Sequence, residues 1–313
     1  MNTDIFTIVL PVFLVIVMGF GLKKTGLINS SFMYDLNRLI YYIALPALLF
    51  HKVAAADFET SFNPKLLAAM VIATTSCCLL SYLYATLRGY EPAVKGAFCQ
   101  GSFRGNLAYI GLAIIYQAYG DAGFTVGGIL LGFLVPLLNF LSIFALILSR
   151  RNQFSELGFH FFVKQILYNP LIVASLTGVL WSFFAWPLPI IIDRALAIVT
   201  GMALPLALIL IGASFSFKKL RGDLGITLLA TLNKIILMPL ATGGLLWFFG
   251  IRGMEFGVGM LFAGTPVAAA AYIMAQQLQA DAELSGAIIA FSTLCSLATY
   301  TVMLYIFHMA GLG

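Results

Sequence analysis

The chain has 313 residues, of which 61% are hydrophobic and only 9% are charged. A water-soluble domain carries roughly 25% charged residues, and the mean hydropathy of +1.01 requires most of the molecular surface to face lipid. This composition excludes a soluble globular protein. The formal net charge of +5 is then explained by basic residues in cytoplasmic loops, and it indicates no nucleic-acid partner.

Ten apolar segments, named S1 to S10 in chain order, are each long enough to cross a hydrocarbon layer of about 30 Å. Short loops join them, so no separate soluble domain fits, and residues 1–313 are predicted to form a single transmembrane domain. The segments are residues 5–22, 36–53, 65–87, 93–116, 122–148, 163–184, 190–215, 223–249, 254–277 and 284–308.

Basic residues predict the orientation of the segments. The loops after odd-numbered segments, with their flanking turns, hold eleven Lys and Arg residues, against four on the opposite side. Since positive residues are retained in the cytoplasm, we expect the odd loops in the cytoplasm and both termini outside. The first group is Lys23, Lys24, Arg38, Arg88, Lys95, Arg150, Arg151, Lys164, Lys218, Lys219 and Arg221, and the second is Lys52, Lys65, Arg194 and Arg252.

The two halves of the sequence contain matched residues at nearly constant offsets. Ala44-Leu45-Pro46 recurs 159 residues later as Ala203-Leu204-Pro205, and Ala108-Tyr109-Ile110 recurs 163 residues later as Ala271-Tyr272-Ile273. Other matched pairs are Pro11 with Pro170, Gly19 with Gly178, Phe58 with Phe217, Gly96 with Gly259, Gly101 with Gly264 and Gly123 with Gly286.

These matches predict two five-helix repeats, in residues 1–148 and 163–313. Because five is an odd number, the second repeat must be inverted in the membrane relative to the first. Inverted repeats are typical of alternating-access transporters.

S4 and S9 each contain a predicted break near mid-membrane. In S9, Thr265 is expected to cap a new helix with Pro266 in its first position, and Ser102 takes the matching place in S4. Unwound backbone is tolerated at this depth only where it is buried in protein or lines a cavity. Matched breaks therefore indicate a transporter's binding site, whose half-helix N-termini attract anions. Two kinked helices without a ligand are the alternative.

Two cations lie inside the apolar segments, Arg104 near the middle of S4 and Lys234 near the middle of S8, whereas all twelve acidic residues lie in loops or at segment ends. A charge at the bilayer centre costs ~2.5–3.5 kcal/mol on insertion scales and usually marks function. An anionic substrate, backbone carbonyls or cavity water must compensate Arg104. Lys234 either binds substrate, or snorkels or donates to an unwound carbonyl. The candidate substrate-binding residues are Ser102, Arg104, Gly105, Asn106, Asn233, Lys234, Thr265 and Pro266.

The sequence contains no pattern for a metal, a cofactor or an enzyme active site. The four cysteines lie within apolar segments and lack the spacing of a zinc or redox site. No nucleophile–base pair or metal-ligating cluster occurs inside the segments. The missing acidic residues also favour facilitated or potential-driven anion movement over a carboxylate proton relay.

At S4 and S9 the chain resembles the auxin efflux carrier family, whose bacterial members are permeases. Residues 104–112 are similar to the family's pattern in its fourth helix, and Asn106 matches its crossover asparagine. Pro266 matches the proline of its ninth helix. Leu107 stands where the family usually has Thr, and Ala113 where it often has Pro, so Gly101 and Gly105 are expected to hold the S4 break.

The resemblance implies an all-α membrane protein of ten transmembrane helices, arranged as two inverted five-helix repeats with broken, crossing helices 4 and 9. This is the fold of bile acid:sodium symporters and sodium/proton antiporters. It further implies a homodimer in the inner membrane, with S1, S2, S6 and S7 as the dimerising scaffold and S3–S5 with S8–S10 as the moving bundle. The family's substrates are carboxylates such as malonate, malate or indole acetate.

Three functions follow from these patterns. The leading one is a secondary transporter for a small organic anion, a mono- or dicarboxylate or an auxin-like acid, with elevator-type alternating access. The second is a sodium-coupled organic anion symporter of the bile acid type. The third is a membrane receptor or structural subunit whose kinked helices have no transport role.

Overall fold

The structure is a computed structural model that describes residues 5–55, 62–148, 168–215 and 223–310. In this part of the chain the regular secondary structure is helical, with fourteen α-helices. They are α1 Ile5–Lys24, α2 Ser30–Leu39, α3 Leu45–Ala54, α4 Pro64–Leu87, α5 Pro92–Phe103, α6 Leu112–Leu148, α7 Pro170–Phe183, α8 Ile190–Gly201, α9 Ala203–Ser214, α10 Leu224–Leu232, α11 Met238–Phe248, α12 Gly253–Ala263, α13 Ala270–Gln277 and α14 Ala282–Ala310.

Helix occurs in each of the ten predicted segments, and α6 passes from S4 to S5 across a kink at Gly120, whose φ is 60°. Six described helical stretches are long and apolar enough to cross a membrane, and α7 and α12 are shorter apolar helices. S2 begins earlier than predicted, at Ser30, because the Asn29 side chain accepts a hydrogen bond from the Phe32 N–H and caps α2. All six basic residues predicted for the loops after S5 and S7 lie outside the described residues: Arg150, Arg151, Lys164, Lys218, Lys219 and Arg221.

Short π-helical turns interrupt S2, S4 and S8, at Ile40–Ala44, Leu107–Gly111 and Asn233–Leu237. In S2 and S8 the turn ends just before a proline, Pro46 or Pro239. Proline has no N–H to donate and crowds the preceding turn, so the helix widens there to i→i+5 bonding. The π turn in S8 contains Lys234.

The chain contacts define two compact units. Unit 1 consists of Met1–Pro64, Ala108–Phe133 and Ile166–Phe215, and unit 2 consists of the remaining residues. Unit 1 therefore contains S1, S2, S6 and S7, the helices expected to form a scaffold. It also contains Ala108–Phe133, which the resemblance had assigned to the moving bundle.

Polar contacts explain why Ala108–Phe133 joins unit 1. The Tyr109 hydroxyl donates to the Asn37 Oδ1 at 3.0 Å, and Lys52 forms an ion pair with Asp121. Pairing Tyr109 with Asn37 gives a partner to a polar group that would otherwise be buried alone. These partners are side chains distant in sequence, and the helix pattern of S4 and S5 contains no sign of them.

In unit 1, α1 and α9 approach until their backbones touch. A Cβ atom on Gly212 would collide with the carbonyl oxygen of Ile16, and one on Gly19 would collide with that of Ile209. Only glycine permits this separation, because any side chain would force the two helices apart. Small residues allow membrane helices to gain backbone-to-backbone van der Waals contact.

The contact between α3 and α7 repeats this arrangement. A Cβ atom on Gly178 would lie 3.3 Å from the carbonyl oxygen of Phe50 and 3.0 Å from Val53. The offset of 159 that relates Gly19 to Gly178 also relates Phe50 to Ile209. Equivalent glycines thus contact equivalent positions in the two halves of unit 1.

Replacing Gly212 with Ala should lower the midpoint of thermal unfolding, because overpacking of a close contact costs about 1–3 kcal/mol. The measurement is thermal unfolding of the purified protein in detergent. Gly201→Ala, in the same predicted segment but with no atom within 4 Å of its added Cβ, is the control and should unfold at or above the wild-type midpoint. Equal midpoints for the two variants would contradict the close approach of α1 and α9.

Candidate functional site

Both predicted breaks are present, and both lie in unit 2. In S4, α5 ends at Phe103 and helix resumes at Leu107. In S9, α12 ends at Ala263 and α13 begins at Ala270. The unwound residues of the two segments, named the crossing from here on, are 104–106 and 264–269.

The two stretches of the crossing pair with each other. Gly105 and Val267 form an antiparallel bridge. The Asn106 N–H donates to the Pro266 carbonyl at 2.8 Å, and the Ala268 N–H donates to the Arg104 carbonyl at 3.1 Å. Each break therefore supplies the hydrogen-bond partners that the other lost when its helix ended.

The predicted capping roles of Ser102 and Thr265 are wrong. Ser102 lies in the last turn of α5, and its hydroxyl donates to the Phe98 carbonyl. The Thr265 hydroxyl likewise donates backwards, to the Phe262 carbonyl. Pro266 belongs to the extended stretch and is not the first residue of a helix. Its carbonyl accepts the hydrogen bond from the Asn106 N–H of the other stretch.

Three N–H groups at the crossing are bonded within the protein, whereas free N–H groups had been expected at an anion site. The Val267 N–H donates to the Ser292 hydroxyl at 3.0 Å, and those of Asn106 and Ala268 are bonded across the crossing. Backbone polar groups at membrane depth must find partners in the protein. The N–H groups of Asn106, Val267 and Ala268 are therefore not available to an anion.

Gly105 sets how closely the two stretches approach. A Cβ atom there would collide with the Thr265 Oγ1 and would lie 3.2 Å from both the Leu107 Cδ2 and the Lys234 Cε. A larger residue would therefore push the two stretches apart or displace the Lys234 side chain. This contact places Lys234 directly beside the crossing.

Lys234 is fully buried, and its Nζ donates to the Ala263 carbonyl at 2.5 Å. Ala263 is the last residue of α12, where the helix dipole leaves a partial negative charge. Of the two roles considered for Lys234, donation to a carbonyl at a break is the one observed. Asn233 is only partly buried, and it does not line the cavity described below.

Arg104 is held by three neutral oxygen atoms of α6. Its guanidinium donates to the Leu138 carbonyl at 3.1 Å, the Ser142 hydroxyl at 2.8 Å and the Asn139 Oδ1 at 2.8 Å. Five donors in a planar fork suit such a set of acceptors. The side chain is 8% exposed, so Arg104 fastens the crossing to α6. Of the compensating partners expected for Arg104, a backbone carbonyl is observed, together with two side-chain oxygens.

A small cavity of unit 2 borders the crossing. Its volume of about 10 Å³ is close to the minimum that one water molecule needs. The lining residues are Met70, Thr74, Phe103, Gly105, Leu107, Leu134, Leu138, Lys234, Met238 and Phe262. Of the predicted site residues, Gly105 and Lys234 are among them. The apolar lining from α4, α6 and α11 was not predicted, because nothing distinguishes it from ordinary helix packing.

Similarity to known proteins agrees with this architecture. A transporter of Rhizobium meliloti whose name proposes malonate as its substrate is 24% identical, over 99% of this chain and 98% of its own. Uncharacterized transporters of Methanothermobacter thermautotrophicus and Methanocaldococcus jannaschii are 27% and 22% identical, each over 93% of this chain and 94% of its own.

A family model described as membrane transport protein matches the chain twice, at residues 4–158 and 150–304. The two matches cover both halves, in agreement with the internal matches in the sequence. The chain therefore belongs to this membrane transport protein family, the family of the auxin efflux carriers, and it is a transporter and not an enzyme.

Proposed function

We propose that the chain carries a small carboxylate across the membrane and binds it at the crossing in unit 2. The observation that carries the proposal is the position of Lys234. It is a fully buried cation beside two unwound stretches, and among the described lining residues of the adjoining cavity it is the one with a charge.

The charge argument has three steps. A buried ammonium group is costly unless an opposite charge or good acceptors compensate it. None of the described carboxylates lines the cavity beside Lys234. A substrate carboxylate would supply the missing negative charge. Because the cavity of about 10 Å³ admits about one water molecule, the mainly apolar lining would have to separate to contact the rest of the molecule. The malonate named for a relative belongs to this chemical class.

The proposal includes the inverted-repeat fold and the elevator mechanism. Equivalent glycine contacts in the halves of unit 1, and two family matches that each cover half of the chain, support ten membrane-spanning helices in two inverted repeats. We infer that unit 2 is the moving part and that unit 1 forms the dimer contact. The inner membrane and extracytoplasmic termini are proposed from the distribution of basic residues.

Purified protein in liposomes should accumulate radiolabelled malonate or indole acetate with saturation and counterflow. Asn106→Ala should abolish this flux while the protein still folds, because Asn106 lies in the crossing. Protein-free liposomes control for leakage of the neutral acids. Wild-type flux in the variant would contradict the site. Flux that is lost when choline replaces sodium would favour the bile acid type of symporter. The absence of any saturable flux would favour a receptor or structural subunit.

Lys234 and Arg104 should respond differently to the loss of charge. Lys234→Met should stop carboxylate flux at a smaller cost in thermal stability than Arg104→Met, because it removes a buried charge and leaves only the Ala263 carbonyl without this donor. Arg104→Met should lower the unfolding midpoint, because it leaves acceptors on α6 without a donor, at about 1–3 kcal/mol each when buried. Flux and thermal unfolding are measured on both variants, and the reverse pattern would contradict the roles assigned here.

The close crossing should be visible in a double-mutant cycle. Gly105→Ala should lower stability by about 1–3 kcal/mol through overpacking. Adding Thr265→Ala, which removes the hydroxyl that the new Cβ would meet, should recover part of the loss, although Thr265→Ala alone removes only one hydrogen bond. Additive effects in thermal unfolding would indicate that the two residues are not in contact.

A further inference from the structure

Four buried oxygen atoms of unit 2 have no hydrogen-bond partner among the described residues. They are the Gln100 Oε1, the Thr227 and Thr231 Oγ1 atoms and the Ser285 Oγ. Their residues are at most 2% exposed. Other buried hydroxyl groups of unit 2, such as those of Ser102, Thr242 and Ser296, donate to carbonyls of their own helices.

The four side chains belong to three helices that pack against one another. Gln100 is on α5, the two threonines are on α10, and Ser285 is in the first turn of α14. Each of these helices contacts the other two. Ala97, Ala230 and Ile288, one from each helix, belong to one packed cluster.

The spacing places the four residues beside that cluster. Gln100 follows Ala97 by three positions, and Ser285 precedes Ile288 by three. Thr227 precedes Ala230 by three, and residues three or four apart share a helix face. The polar side chains are therefore one turn away from the contact between α5, α10 and α14.

On S8 the polar positions continue to the crossing. Thr227, Thr231 and Lys234 follow one another at intervals of four and three residues, the spacing of a single helix face. All three are buried. A stripe of hydroxyl groups thus runs from near the start of α10 to the buried amine.

The starts of α5 and α14 lie at one end of unit 2, because the Asp281 N–H donates to the Ala93 carbonyl at 3.1 Å. Ser285 is just inside this end. α10, which packs against both helices, carries Thr227 in its own first turn. The four polar groups therefore occupy the interval between this end of unit 2 and Lys234.

A buried polar group without a partner is destabilising, and four such groups lie in this one interface. Buried water is the usual partner of such groups and needs two to four polar contacts. We propose that Gln100, Thr227, Thr231 and Ser285 hold a track of water molecules that leads to Lys234, along which the lysine amine exchanges its proton.

The exchange is a simple acid–base step. The Lys234 ammonium releases a proton to the nearest water, the N–H electron pair stays on nitrogen, and hydronium carries the proton to the end of unit 2. The neutral amine can still donate to the Ala263 carbonyl. Of the groups that face Lys234, the Cys77 thiol on α4 interacts with it electrostatically, and Arg104 adjoins the crossing but is bound to α6. The carboxylates of α12 and α14, Glu255 and Glu283, lie in the first turns of their helices.

The role of this proton in transport rests on the proposed carboxylate function. A loaded site would hold one carboxylate and one ammonium, and an empty site would hold a neutral amine. Neither state would bury an uncompensated charge, which is the costly condition in a membrane. The proton would then move in the same direction as the substrate.

The test compares net uptake with exchange in proteoliposomes, using radiolabelled malonate or indole acetate, whichever the flux assay finds to be carried. In net uptake the carrier returns empty, which requires Lys234 to lose its proton. In exchange between labelled and unlabelled substrate the carrier returns loaded, so Lys234 keeps its proton. The double variant Thr227→Val and Thr231→Val should slow uptake driven by an inward proton gradient by about tenfold or more and should spare exchange. Thr242→Val, on the same segment, should spare both.

Three outcomes would overturn the proposal: equal loss of uptake and exchange, no effect of the double variant, or uptake indifferent to the proton gradient. If neither acid is carried, the proposed carboxylate function is wrong, and the water track is then tested separately. An experimental density map that resolves ordered water should then show water at Gln100, Thr231 and Ser285. A dry interface there, or a rise in unfolding midpoint for Thr231→Val through relief of an unpartnered hydroxyl, would refute it.

Discussion

Unit 2 depends on the pairing of its two unwound stretches with each other. At membrane depth there is no water to bond a broken helix, so a break must find its partners in the protein. The bonds from Asn106 to the Pro266 carbonyl and from Ala268 to the Arg104 carbonyl meet this requirement from both sides. The breaks are therefore mutually dependent, because restoring helix in one would leave backbone groups of the other unbonded. Gly105 is needed because the pairing brings the backbone against Thr265 and Lys234.

The same constraint separates the two buried cations into different roles. Arg104 offers a rigid fork that cannot lose its proton, and it is matched by a carbonyl, a hydroxyl and an amide oxygen on α6. Arg104 therefore holds the crossing in place against α6. Lys234 is bonded to the Ala263 carbonyl at the end of a half-helix and borders a cavity. A lysine amine is a point donor that can be charged or neutral, so it suits a position where the local charge changes during a transport cycle.

The sequence predicted the location of the breaks because glycine and proline act locally. Pro266, Gly105 and their matched positions in the two halves mark where helix cannot continue, whatever surrounds it. Their partners could not be predicted, since each break bonds to a stretch about 160 residues away. The expected caps at Ser102 and Thr265 failed for that reason. The hydroxyl groups of Ser102 and Thr265 donate to nearby carbonyls, those of Phe98 and Phe262. These hydrogen bonds form without a new helix starting at either residue.

The partners of Arg104 show why charge patterns are harder to interpret than backbone patterns. An intramembrane cation without an acidic partner indicates an anionic ligand only if neutral acceptors are absent. Three such acceptors lie on one stretch of α6, at Leu138, Asn139 and Ser142, where Asn139 and Ser142 are polar residues in an otherwise apolar stretch. For Lys234 the described acceptor is a single carbonyl, and the buried polar groups along its own helix face are those that lack protein partners. Arg104 is bound to three acceptors on α6, whereas Lys234 lies at the end of a stripe of hydroxyl groups without partners among the described residues. This contrast is what assigns the changing charge to Lys234.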